Sequence, residues 1–459
     1  MKTIIKKILI PALFFGFMFQ AVNSFASFTI KDEKKLGKEF YEKLKKSNAL
    51  IKNRKVNEYI GKLGNKVLAN SDKAPFDFHF SVIKSSAINA FATPGGYVYV
   101  NRGLINLVEN ESQLAGVLAH EIGHVNARHI ADTIEKSKKV SIATLAAILA
   151  GAFLGGGGEG TAAVAAFSMA TATTLNLKYS RKHEEEADRR GMLYLVNTGY
   201  DGGGMADFLR IMRRYEFYSN AVPSYFLTHP GTDERIRYLD GLLHTKYTGR
   251  GAKTIIGGLR RIQTTLMFGE RNLDMTLRYF QDILEERPND VDALYGLAVT
   301  QARLGLAAES FKSFDRALKL SPNDQDVLRD LGINYFKTGR ASDAIHVLKK
   351  AYSLDENDVI TISCLGRSYE AAEDYHTALN LYRRLKEKDP GNVNMYYRLA
   401  MVYGRIGSQA ESHYNFGIYF KKKGNIKSAL FHFREALKCY PENSKRGNEI
   451  QKEINSIQD

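Results

Sequence analysis

An α-rich α+β region holding a small β-sheet, followed by an all-α superhelix of stacked helix pairs, is the architecture this sequence predicts. Three observations predict it. Apolar residues recur at helical spacing through most of the chain, and only the stretch around 76–105 reads as strands. "GVLAHEIGHVNARH" (116–129) sets two histidines four apart on a helix, with an acid directly after the first. Beyond about residue 256, Pro288, Pro322 and Pro390 lie 34 or 68 residues apart, with Glu356 in the intermediate slot, which is a repeat period. At 459 residues the chain exceeds one ordinary domain, and its 44% apolar content suffices for sizeable cores.

The first 26 residues stand apart from the fold. "MKTIIKK" is a basic n-region, "ILIPALFFGFMF" is apolar but short for a membrane span and interrupted by Pro11, and "SFA" precedes Ser27 with small residues. This reads as a cleaved secretory signal peptide rather than an anchor, and no Cys follows it for lipoprotein processing. The mature protein is therefore expected in the periplasm of a Gram-negative cell. The net charge of +15 is spread over amphipathic helices without a nucleic-acid signature. Nucleic acid is thus not an expected partner, whereas peripheral attraction to anionic envelope surfaces is.

Residues 31–70 read as a basic helix pair, with Leu36, Phe40 and Leu44, then Val56, Ile60, Leu63 and Val67, on the apolar faces. "FDFHFSVI" (76–83) alternates as a strand does, and "GGYVYVNRGLI" (95–105) gives a second strand after the turn residues Pro94, Gly95 and Gly96. Glu111 to about Lys138 reads as one helix. Residues 140–177 read as a helical hairpin broken by Gly155–Gly158, packed beside that helix or lying near a membrane.

In the frame 325–358, Leu328, Leu331, Gly332, Tyr335, Gly339, Ala344, Leu348 and Ala351 fall where a tetratricopeptide repeat needs them. The next frame repeats the pattern with Leu365, Gly366, Tyr369, Ala378 and Tyr382, and a last one with Phe416, Gly417, Phe420, Gly424, Ala429, Phe433 and Ala436. Since 51 residues separate Pro390 from Pro441, an extra helix near 393–409 is expected to break the stacking. Cys364 and Cys439 are too few for a disulfide framework and read as small apolar residues.

On a helix, His120 and His124 share one face and can grip one tetrahedral zinc ion, while Glu121 points about 100° away, beside an open coordination position. There Glu121 could take a proton from an activated water. A third ligand is sought in "YSRKHEEEADRRG" (179–191), where Glu184 and Asp188 are also four apart. One of these carboxylates can bind the metal and the other a ligand imidazole's free N–H, with Ala187, Leu193 and Leu195 flanking the face. His129 lies about 140° round the same helix from His124. It and His183 read as structural.

"HEIGH" followed at this distance by "SRKHEEEAD" resembles the gluzincin metallopeptidases related to the CAAX prenyl protease and HtpX. The resemblance implies Glu184 as the third ligand and Asp188 as the acidic group beside the site. "NAFATPGGYVYVNRGL" (89–104) is similar to the family's edge-strand segment, where an extended substrate adds as a strand. In "SYFLTHPGTDERI" (224–236), Pro230 biases His229 toward an extended backbone, and His229 reads either as a loop histidine hydrogen-bonded locally or as a residue turned into a cleft. The segment also resembles the family's His-Pro segment, which implies one of two roles for His229. It would donate to the oxyanion, or it would occupy a fourth zinc position as a latch, the reading favoured here.

A signal peptide (1–26), such a peptidase domain (27–255) and a repeat domain (257–445) together resemble periplasmic protease-chaperones of outer-membrane assembly. The implied activity is one zinc-dependent endopeptidase centre per chain acting on misfolded or stalled outer-membrane proteins. The implied partners are unfolded envelope proteins and, through the repeats, the barrel assembly machinery. The rival readings are a repeat-based holdase or scaffold with a vestigial metal site, and a membrane-bound protease, which would need true spans.

Overall fold

The computed structural model describes residues 28–135, 142, 145–146, 179–219, 222–249, 251–269, 272–441 and 443–458. The signal-peptide segment lies outside the described residues, as does nearly all of the 140–177 hairpin; of it, Leu145 and Ala146 are buried in the cluster of Leu36, Phe40 and Tyr99. The chain divides into two compact units, up to Gly257 and from Gly258. Among the described residues no helix is long and apolar enough to cross a membrane.

In the first unit, the helix Ile30–Lys46 begins at a capping box: Thr29 Oγ1 accepts from the Asp32 N–H, and the Asp32 carboxylate accepts from the Thr29 N–H. Leu36, Phe40 and Leu44 form its buried face, and Asn53 caps the next helix, Arg54–Leu68, which buries Val56, Ile60, Leu63 and Val67. Three strands follow, β1 (His79–Ile83), β2 (Ala90–Thr93) and β3 (Tyr97–Asn101), in the order β1-β3-β2. β3 runs parallel to β1 and antiparallel to β2. The second expected strand is therefore shorter than 95–105, because a helix, Arg102–Leu107, starts straight after Asn101. β2 was not separated as a strand by periodicity, since all four of its residues are buried and nothing alternates.

The expected helix from Glu111 to Lys138 is two helices. Glu111–Asn126 ends at Ala127, Arg128 takes a left-handed backbone with φ 55°, and His129–Glu135 sets off in a new direction. At the other end, Glu111 is a buried acid that accepts five hydrogen bonds, from the Tyr59 and Tyr200 hydroxyls and from the backbone N–H groups of Ile255, Ile256 and Gly257. Such charge-assisted bonds are worth roughly twice neutral ones and offset the cost of burying the charge. Arg181–Asn197, Gly203–Ser219, Ser224–Thr228 and Thr232–Thr245 are further helices of this unit.

The second unit is helical throughout its described residues. The first helices of successive pairs, Val291–Arg303, Gln325–Lys337, Val359–Ala371 and Val393–Arg405, carry N-caps at Asp290, Asp324, Asp358 and Asn392, each 34 residues after the last. Gly332 and Gly366 face the side chains of Leu348 and Tyr382 on the second helices, a separation no Cβ would permit. The expected break near 393–409 does not occur. Val393–Arg405 keeps the period, and Gln409–Lys422 packs on it while Gly417 receives Phe433 from Ile426–Leu437. One apolar cluster accordingly runs from Ala344 to Ile454. The offset frame arose because Gln409–Lys422 carries a small residue for each of two neighbours, Ser412 and Gly417. Cys364 and Cys439 are both free thiols, the first buried and the second exposed.

Candidate metal centre

Two helices bring the candidate residues together. Glu111–Asn126 carries His120, Glu121 and His124, and Arg181–Asn197 carries Glu184 and Asp188. They approach closely at two glycines: a Cβ on Gly123 would lie 2.9 Å from the Ala187 carbonyl oxygen, and one on Gly191 would lie 3.0 Å from the His120 backbone nitrogen. Ser180 caps the second helix by accepting from the His183 N–H, which puts Glu184 in the first turn and Asp188 one turn on. Ala187 and Leu195 pack inward as expected, whereas Leu193 is exposed.

His120, His124, Glu184 and His229 each present one donor atom, all within 4.8 Å of one another, and all four side chains are buried. His120 Nε2 lies 2.9 Å from His124 Nε2 and 3.3 Å from His229 Nδ1. The Glu184 oxygens lie 3.5 Å from each of the first two nitrogens and 3.1 Å from the third. Donors bound tetrahedrally at about 2.0–2.1 Å are spaced by about 3.3 Å, so this set fits a divalent cation. Among the described residues, both carboxylate oxygens of Glu121 and Nε2 of His229 are buried with no hydrogen-bond partner, and the two residues face each other at 3.6 Å. Unpaired buried polar atoms are rare in stable cores and commonly mark chemistry.

His120 and His124 each have the ring held from behind. His120 Nδ1 lies 2.8 Å from Asp188, so this nitrogen carries the proton and Nε2 is left with a free lone pair. His124 Nδ1 lies 2.9 Å from His129 Nδ1, and His129 Nε2 reaches Glu186 at 3.3 Å. His129 thus touches the site after all. The helix break at Arg128 cancels the 140° separation that a continuous helix would impose. Burial, with His183 beside it, lowers the His129 pKa to about 4, which keeps this ring neutral and able to accept. His183 pairs with Asp132 at 3.2 Å.

Arg235 was not singled out in the sequence, yet it organises the acids. It makes a two-pronged contact with Asp188 at 2.8 and 2.7 Å and lies 2.6 Å from Glu184. Burial alone would raise the Glu184 carboxyl, but His229 and Arg235 hold it well below the usual range. Asp188 is likewise held low against burial, by Arg235 and His120. Glu121 goes the other way: its burial raises the pKa, offset only in part by His229 and His120. Two aromatic rings complete the pocket, Tyr179 stacked on His124 at 3.8 Å and Tyr225 on His229 at 4.2 Å. The signal that pointed to His229, its place before Pro230, lay six residues from Arg235.

A buried pair of histidines one turn apart, an acid from a second helix and an unpaired glutamate define a metallopeptidase type of centre. Residues 52–243 match the model of Peptidase family M48, and residues 272–325 and 365–392 match tetratricopeptide repeat models. The chain thus resembles M48 metallopeptidases in its first unit and tetratricopeptide repeat proteins in its second. It is 34% identical over 213 residues to the beta-barrel assembly-enhancing protease of Yersinia pestis and 33% identical to that of Escherichia coli strain K12. Each match covers 46% of this chain and 44% of the relative. It is also 30% identical over 182 residues to the mitochondrial metalloendopeptidase OMA1 of Schizosaccharomyces pombe, covering 40% of this chain and 51% of that protein.

Proposed function

We propose that this chain is a zinc-dependent endopeptidase of the periplasm, delivered by a cleaved signal peptide, that removes misfolded or stalled outer-membrane proteins. In this reading, residues 27–255 are catalytic, and the repeats within 257–445 recruit substrate or the barrel assembly machinery, with a chaperone role following from that holding. The observation that carries it is the convergence of His120, His124 and Glu184 beside the unpaired carboxylate of Glu121. The names of the relatives, beta-barrel assembly-enhancing proteases, support the substrate class.

His120, His124 and Glu184 would hold zinc, which supplies a Lewis acid and an acidified water. Glu121 is the proposed general base. Its raised pKa suits it to take a proton during attack on a peptide carbonyl and to return it to the departing amine. Asp188 fixes the His120 tautomer, and Arg235 holds Asp188 and Glu184 in place. For His229 the latch is the favoured role, because its Nδ1 sits at donor spacing from both His120 and Glu184.

The test is metal analysis of the purified protein, with cleavage assays on unfolded outer-membrane barrels. One zinc per chain is expected, with cleavage lost in Glu121→Gln. Absence of zinc, or undiminished cleavage by Glu121→Gln, would refute the reading.

A further inference from the structure

The helix Ile30–Lys46 carries a buried acid that the metal centre does not use. Glu33 lies in its first turn and is only 1% exposed, and its carboxylate faces the Arg128 guanidinium at 2.7 Å from Nε and 2.6 Å from Nη2. Arg128 also donates to the Phe28 carbonyl at 3.0 Å, and the Phe28 N–H donates to Glu135 at 3.1 Å. These bonds clamp both sides of the turn between Glu111–Asn126 and His129–Glu135. A left-handed backbone is uncommon for a residue with a Cβ, so Arg128, at φ 55°, needs such a clamp. The turn decides where His129 points, and His129 holds His124 Nδ1 at 2.9 Å.

The same part of the helix also touches the strand beside the metal. β2 is an edge of the sheet, paired with β3 on one side. A Cβ on Gly95, in the turn that joins these strands, would lie 2.8 Å from the Glu33 carbonyl oxygen. One turn further along the helix, a Cβ on Gly37 would overlap the Pro94 carbonyl oxygen. The end of β2 therefore rests on helix backbone with no side chain between. Glu33, Thr93, Pro94, His124, Arg128 and Tyr179 line one small cavity, so the strand end, the clamp and a ligand-type histidine share a single wall. The side chain of Glu33 serves the ring of His124, and its backbone serves β2.

We propose that Glu33 is a positioning residue that sets the end of β2 and the ring of His124 at one fixed separation. An extended peptide added to the edge of β2 then presents one particular bond to the metal. Glu33 touches no reacting atom and acts on the centre only through Arg128 and His129. The proposal deepens the proteolytic reading and rests on it for the peptide's being a substrate.

The experiment uses the full chain carrying Glu33→Ala, Glu33→Gln or, as a control, Phe40→Leu, a core change two turns along the same helix. Metal affinity is read by chelator competition. Cleavage is read as kcat/KM and mapped sites on an unfolded outer-membrane barrel at saturating zinc. Glu33→Ala is expected to weaken metal binding about tenfold, the low end of the cost of losing a ligand's support. It is also expected to lower kcat/KM about tenfold and to spread cleavage over additional bonds, as misplacement by a fraction of an ångström would. Glu33→Gln keeps a hydrogen bond to Arg128 and should fall between Glu33→Ala and the unaltered chain. Phe40→Leu should lower the melting temperature and leave both readouts in place. Either readout unmoved in Glu33→Ala overturns the proposal, as do equal changes in Phe40→Leu at the same loss of melting temperature. An unaltered chain that loads metal yet cleaves nothing would instead refute the proteolytic reading alone, and the chelator competition would still decide the role of Glu33 at His124.

Discussion

Two arginines embedded among carboxylates, Arg235 in the first unit and Arg261 in the second, start from the same chemistry and end differently. Arg261 meets Asp292, Asp324 and Asp326, and Asp324 also caps its own helix, so the charges there are spent on fixing one repeat to the next. Arg235 engages only part of what Asp188 and Glu184 offer. Asp188 still orients His120, and Glu184 still faces His124 and His229. A closed charge cluster is architecture. A cluster left open toward one point, with the Glu121 carboxylate lacking a hydrogen bond beside it among the described residues, is a candidate site.

The largest effect that sharpens this contrast comes from the open cluster. Glu121→Gln should retain the metal yet lower cleavage by about 10²–10⁴-fold, the usual contribution of a general base. His120→Ala, His124→Ala and Glu184→Ala should each abolish stoichiometric metal in elemental analysis. Loss of metal in Glu185→Ala with retention in Glu184→Ala would move the ligand by one residue. Next in size, Arg235→Ala or Asp188→Asn should weaken metal affinity about 10–100-fold in chelator competition, the typical cost of losing a ligand's supporting partner.

Arg261→Ala should leave metal content untouched and destabilise the repeats by about 3 kcal/mol, by stranding half-buried acids. If it instead emptied the metal centre, the separation drawn between the two clusters would collapse. For His229→Ala the latch reading forecasts faster or less discriminating cleavage with metal retained. Slower cleavage would return His229 to the oxyanion role, worth roughly 3 kcal/mol in comparable sites.

The smallest effects concern pH. Glu184 and Asp188 titrate below their ordinary values in the folded chain. Their contribution to stability is therefore complete above the unfolded carboxylate pKa of about 4 and is lost as pH falls through the lower folded values. Metal-free protein should lose melting temperature in acid as these two carboxylates titrate, and Arg235→Ala should lessen that loss. The acid limb of kcat/KM should lie above the ordinary glutamate pKa of 4.5, because Glu121 is raised.

The histidine pair and the repeats were legible in the sequence because each is encoded within one helix or one period. Helical spacing left Glu184 and Asp188 equivalent, and only the resemblance to a family pattern chose between them. What was not legible depends on where helices stop. His129 reaches His124 only because Arg128 turns the chain, and no periodicity announces a left-handed residue at an arginine. Arg235 meets Asp188 across 47 residues and looks, in sequence, like any charge on an amphipathic helix. β2 is four buried residues long, too short and too uniform to alternate. The repeat offset near Gly417 misled for the opposite reason, since one helix satisfies the pattern twice.

Glu111 gives the first unit a mechanical property. Three of its five hydrogen-bond donors are consecutive backbone groups, Ile255 to Gly257, at the point where the chain leaves this unit. The other end of that connection is the first residue of the helix whose third turn carries His120. Tension on the departing strand is therefore applied to the foot of the histidine helix, not to a loose loop. A pull strong enough to strip those three donors would leave a charged carboxylate buried with only two tyrosines. The metal-site helix would feel the load through its own N-terminus.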